Sequence, residues 1–172
     1  MSGPAPVALG VVPAGAFEVA ERARWEDADL VGIVRYSAYT RLLDVAEAEL
    51  FRAAGLAYPR VQERYGVVLV RRVLHLEYHA PARFDAELRV AMWIERAGAS
   101  ALTLGVAVRD AAGGTAHVRG HVVVVAVDQG TLAKTVLPAD LVVCLAGVTA
   151  VTGAFQSVCA SAHADRARVT SG

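Results

Sequence analysis

Between Ser37 and Ala53 the apolar residues recur every three or four positions. Tyr39, Leu42, Leu43, Ala46, Leu50 and Ala53 fall on one side of a helix, while Arg41, Asp44, Ala48 and Arg52 fill the other. Ser37 stands where an N-cap belongs and Gly55 where a left-handed C-terminal residue belongs, which predicts one amphipathic helix of about five turns. Elsewhere the period is two. Residues 17–24 form a short predicted strand. In residues 67–80, Leu74, Leu76 and Tyr78 alternate with His75, Glu77 and His79. In 86–96, Leu88, Val90, Met92 and Ile94 alternate with polar or small residues, and in 100–109 Leu102, Leu104, Val106 and Val108 share a face. Residues 115–127 end in the apolar run Val122 to Val127. The short connections Gly98-Ala99-Ser100 and Ala111–Gly114 imply antiparallel neighbours, and Pro138 opens a final short helix. The expected order is strand, long helix, four antiparallel strands. One helix covers one face of such a sheet, so the exposed face and edges call for a homo-oligomer.

Composition sharpens this picture by exclusion. The 172 residues suit one domain, and 55% hydrophobic against 20% charged residues supply a core. Seventeen basic residues balance seventeen acidic ones with no basic cluster, which argues against a nucleic-acid partner. Two cysteines, Cys144 and Cys159, are too few for a disulfide framework, so a reducing, cytoplasmic compartment is expected. Residues 1–16 lack the positive start of an export signal, and their Pro and Gly suggest a flexible arm. No charged residue lies between Asp140 and Asp165, a bilayer-sized stretch. Gly147, Thr149, Thr152, Gly153, Gln156 and Ser157 dilute it, so a packed segment or tail is expected in place of a membrane span.

Strong catalytic motifs are absent: there is no phosphate-cradling glycine loop, nucleophile elbow or metalloprotease helix. His75 and His79 are four apart on one strand, as are His117 and His121, which separates each pair by about 13 Å and prevents joint chelation within a pair, leaving only partners across strands. No metal site is expected. The informative stretch precedes the long helix. Glu26, Asp27 and Asp29 crowd against Trp25 and the apolar run Leu30-Val31-Gly32-Ile33-Val34. A carboxylate held against apolar surface is a stronger base, and a helix start offers N–H groups to a developing oxyanion. That combination suits hydrolysis of an activated acyl group. The same acids would also serve simply to stabilise the loop and the helix start.

The run from Trp25 to Tyr39, WEDADLVGIVRYSAY, resembles the signature of hot-dog-fold thioesterases of the 4-hydroxybenzoyl-CoA thioesterase type. Residues 78–85 resemble the family's Pro-Ala-x-Gly-Asp stretch, and Val127-Asp128 with Leu137-Pro138 resembles its chain end. The resemblance implies an α+β hot-dog domain over residues 17–145, a long central helix wrapped by a curled antiparallel sheet of about five strands, followed by a tail at 146–172. It implies hydrolysis of an acyl-CoA or acyl-carrier-protein thioester. Asp29 would act as general base or as nucleophile through a mixed anhydride, and the backbone N–H of Tyr36 as oxyanion donor. Gly32 would permit the turn. Arg35 would touch the acyl chain or pantetheine arm or remain in solvent, and Tyr39 and Leu43 would line the pocket or belong to the core. No cofactor is implied, because a thioester is already activated. The family's dimer joins two sheets into one with the site at the interface, and tetramers are common.

The chain departs from the family pattern at several points. Leu30-Val31 replaces Pro-Ala, Arg35 an aromatic residue, Ser37-Ala38 Pro-Asn, and Val45-Ala46-Glu47 a frequent Glu-Ala-Arg. Val31-Gly32 also resembles the thioesterases of enediyne and related polyketide pathways, which carry Asn at the Asp29 position and rely on a helix Arg; Arg35 and Arg41 are available. A further branch with a helix Glu matches poorly, Glu47 or Glu49 being its nearest counterparts. Two other activities fit the fold: a dehydratase, which would want a catalytic His near the helix where no His precedes His75, and a non-catalytic acyl-binding protein.

Overall fold

A computed structural model describes residues 12–112 and 114–152. The elements run β1 (Phe17–Arg22), a single 3-10 turn (Trp25–Asp27), α1 (Ala38–Ala53), α2 (Tyr58–Tyr65), β2 (Val67–Tyr78), β3 (Glu87–Ala97), β4 (Ala101–Asp110), β5 (Ala116–Asp128) and α3 (Ala139–Ala146). All five strands form one antiparallel sheet in the order β1-β3-β4-β5-β2. The short links put β3, β4 and β5 side by side. β2 crosses over to pair with β5, with His75 opposite His121, and β1 pairs with β3.

Period-two patterning becomes burial directly. Leu88, Val90, Met92 and Ile94 of β3 and Leu102, Leu104, Val106 and Val108 of β4 are fully buried on the face that receives α1. From the helix, Leu42, Leu43, Ala46, Leu50 and Phe51 complete that core. α1 stops in a Schellman arrangement: Gly55 N–H donates to Arg52 O at 3.0 Å and Leu56 N–H to Phe51 O at 2.8 Å. At the other end Ser37 is indeed the residue before the helix, but its side chain caps nothing. Its carbonyl instead accepts the Thr40 hydroxyl at 2.7 Å.

The pattern did not predict α2. Its apolar side consists of Tyr58, Val61 and Tyr65 alone, of which only Val61 is buried, while Pro59 starts it and Gly66 closes it in the left-handed region. Pro138 does precede α3, as expected. Residues 1–11 of the expected arm and 153–172 of the expected tail lie outside the described residues. Their inner neighbours are packed. Thr149 accepts Phe17 N–H at 3.0 Å and donates to Met92 O at 2.8 Å, and Val12, Ala16 and Ala150 cover Ala91, Trp93 and Ala107 on the sheet's other face. Among the described residues no helix is long and apolar enough to cross a membrane.

Candidate active site

Between β1 and α1 the three acids that look alike in sequence receive three different environments. Asp27 is buried, 3% exposed. Arg41, in the first turns of α1, donates Nε–H to its Oδ1 at 2.9 Å and a second N–H to its Oδ2, and the Arg24 N–H donates to Oδ2 at 2.9 Å. Arg41 also reaches Glu21 on β1 at 3.1 Å, so one guanidinium ties strand, 3-10 turn and helix together. Burial pushes the Asp27 carboxyl up, but the hydrogen bonds from Arg41 and the Arg24 amide outweigh it and hold it below the usual carboxylate range. Glu26 is exposed, and its carbonyl accepts the Arg35 guanidinium.

Asp29 heads a tight turn. Gly32 N–H donates to its carbonyl at 3.0 Å, and its own N–H donates to Ile33 O at 2.9 Å. Its Oδ1 accepts the amides of Val31 at 2.9 Å and Ile33 at 3.2 Å, while Oδ2 has no partner among the described residues. This corrects one expectation: the acid sunk against apolar surface is Asp27, and Asp29 stands exposed. The turn needs Gly32, whose φ of +76° is the left-handed conformation that side chains resist. Nothing lies within 4 Å of where a Cβ would project, so backbone conformation is the constraint there, and space is not. Gly32→Ala is therefore expected to destabilise by about 1–2 kcal/mol, measured as a lowered urea midpoint with an unchanged m-value.

The segment 79–85 holds the turn from its other side. Val34 N–H donates to Ala82 O at 2.8 Å, Phe84 N–H donates to Gly32 O at 3.0 Å, and Ile33 bridges Arg83. Phe84 meets Trp25 edge-to-face at 5.5 Å between ring centroids. These rings, with Ala28, Asp29, Leu30, Gly32 and Arg35, line a cleft of about 610 Å³. Leu30 and Val31 are exposed at the same turn, so the one free carboxylate oxygen stands among apolar and aromatic surface. Just beyond, the backbone N–H of Tyr36 has no acceptor among the described residues, and its carbonyl receives the Tyr78 hydroxyl at 3.3 Å. The combination offers a base or nucleophile at a cleft wall and an unpaired donor at a helix start.

A family profile, the Thioesterase-like superfamily, matches residues 23–145. The chain belongs to that superfamily. Solved structures agree on the fold. The 1,4-dihydroxy-2-naphthoyl-CoA thioesterase from Synechocystis superposes with a TM-score of 0.69 at 17% identity, covering 76% of this chain and 96% of that one. A hypothetical protein from Staphylococcus aureus in complex with CoA gives 0.69 at 16% identity, over 77% of this chain and 83% of that one. A hypothetical protein from Thermus thermophilus gives 0.66 at 26% identity, over 76% and 98%. No curated protein sequence matches the chain. The α+β hot-dog architecture expected from the sequence is the architecture found.

The remaining site candidates of this hot-dog domain separate by position. Gly32 and Arg35 share the cleft with Asp29, whereas Tyr36 is not among the residues that line it. Tyr39 is core, 2% exposed; burial pushes its phenol up against an opposing influence from the Ala82 backbone. Leu43, also buried, borders a separate groove of about 230 Å³ with Asp44, Glu47, Arg71 and Leu74. There Glu47, buried in α1, accepts the Tyr58 hydroxyl at 2.6 Å and an Arg71 N–H at 3.0 Å, so this helix Glu is committed to α2 and β2. Among the described residues no group of three or more His, Cys, Asp or Glu is placed to hold a metal ion. Phe84 is the contributor that residue-by-residue inspection missed. The Pro81-Ala82 likeness pointed to its segment, but not to its ring facing Trp25.

Proposed function

We propose that the protein hydrolyses acyl thioesters at the Asp29 turn, with the thiol of coenzyme A or of a carrier protein's pantetheine arm as leaving group. The carrying observation is the carboxylate of Asp29: one oxygen is fixed by two backbone amides, the other is free at an apolar cleft beside a helix start. As general base, Asp29 takes a proton from water while the water oxygen bonds to the thioester carbon. The Tyr36 N–H holds the resulting oxyanion, the C–S bond breaks, and the proton passes to the departing sulfur. As nucleophile, Asp29 bonds to the carbon itself, expels thiolate and leaves an anhydride for water to open. Either route uses an already activated acyl group and asks for no cofactor. The aromatic pair Trp25 and Phe84 and the side chain of Arg35 would meet the acyl chain or the pantetheine arm.

We also propose that two or four copies assemble. β2 pairs with β5 on one side only among the described strands, and Val70, Val73, Leu74 and Tyr78 are exposed along it. Joining β2 edges across a two-fold axis would bury that strip and bring two sites close together.

Thiol release from a panel of acyl-CoAs and acyl-carrier-protein thioesters, including aromatic and polyketide acyl groups, tests the activity. Turnover on some member is expected. Saturable binding of thioesters with no thiol released would support instead the non-catalytic acyl-binding protein.

A further inference from the structure

His117, near the start of β5, is buried, 4% exposed. Both ring nitrogens face acceptors: Nδ1 lies 3.2 Å from the carbonyl oxygen of Ala80, and Nε2 lies 2.8 Å from Oδ1 of Asp110. A carbonyl oxygen can only accept, so Nδ1 carries a proton. Asp110 ends β4, and the hydrogen bond from this ring holds its carboxyl below the usual carboxylate range; an ionised carboxylate likewise only accepts. The ring thus bridges a backbone carbonyl of the 79–85 segment and a carboxylate at the end of β4.

The bond to Ala80 is part of a larger tether. The amides of His79 and Ala80 donate to the carbonyl of His117 at 2.8 and 3.4 Å, so ring and backbone of one residue pin the start of the 79–85 segment to β5. Two residues on, Ala82 receives the Val34 amide, and beyond it Phe84 donates to Gly32. The tether thus reaches both sides of the turn that carries Asp29.

We propose that His117 is a positioning residue for the Asp29 turn: held by Asp110 on one side and by Ala80 on the other, its ring seats the 79–85 segment against β5. The inference rests on Asp29 being the reactive carboxylate. The ring's two contacts are Asp110 and the carbonyl of Ala80.

The test is nitrogen NMR of the intact protein at one fixed pH, following the amides of Gly32 and Val34, beside kcat/KM. In His117→Phe, which keeps a ring but removes both of its contacts, these two signals are expected to move and kcat/KM to fall about ten- to a hundredfold, with signal dispersion retained. Asp110→Ala supplies a second arm should the first variant fail to fold: it frees one side of the ring, and the same two signals are expected to move less. Asp110→Asn, whose amide oxygen still accepts from Nε2–H, is expected to return them to their wild-type positions. Turn amides that stay in place in His117→Phe or in Asp110→Ala, or that Asp110→Asn fails to restore, would each overturn the proposal. A wild type inert on every thioester would remove the catalytic reading alone, because the amide signals still decide whether His117 seats the turn.

Discussion

Arg41→Met is expected to destabilise the protein by roughly 3–5 kcal/mol, because it leaves Asp27 as a buried charge without its counter-ion. Methionine fills much of the aliphatic volume of arginine, so packing is preserved while the two bonds to Asp27 and the one to Glu21 vanish. The pH dependence identifies the cause. In the wild type the Asp27 carboxyl lies below its ordinary value. Its contribution is therefore complete above the unfolded carboxylate range, about pH 4, and is lost as pH falls through the lower folded value. In the variant the buried, unpaired carboxyl is raised, so protonation relieves it. The stability gap between the two proteins, measured by urea unfolding, should narrow as pH is lowered from neutrality toward about 4. A gap that stays constant over that range would show that Asp27 is not the charge at stake.

The second large effect concerns the other acid. Asp29→Asn keeps an Oδ1 that accepts the Val31 and Ile33 amides, so the turn survives, but the side chain can neither hold a proton from water nor attack a carbonyl. Turnover should fall at least about a hundredfold with the melting temperature essentially unchanged. Asp29→Ala removes the acceptor as well and should cost a further ~1 kcal/mol of stability. Equal losses of stability in both variants would mean that Asn does not replace the turn contacts, and the rate loss would then carry no chemical meaning.

How much of this was legible beforehand depended on the range of the interactions involved. The long helix declared itself because Tyr39, Leu42, Leu43, Ala46 and Leu50 repeat at the helical period and all are buried in the fold. The strands did so through period-two runs, and the close spacing of β3, β4 and β5 gave their pairing. The place of β2 beside β5 was not legible, because that pairing joins residues such as Val67 and Asp128 across most of the domain. The short α2 escaped because eight residues bury one side chain. In the site, the Asp29–Gly32 stretch was visible as a motif, and Gly32 does occupy a left-handed turn. What separates Asp27 from Asp29 is Arg41, fourteen positions on from Asp27, and no local pattern states which acid it will choose. Phe84 and the His117 tether are likewise products of tertiary packing.

The most direct measurement is thiol release by wild-type protein and Asp29→Asn, side by side, on the acyl-CoA and acyl-carrier-protein panel, with melting curves of both. Turnover by the wild type that drops at least about a hundredfold in the variant, at matched stability, is the expected result. Equal turnover in the two proteins would contradict the assignment of Asp29, and turnover by neither would contradict thioester hydrolysis itself.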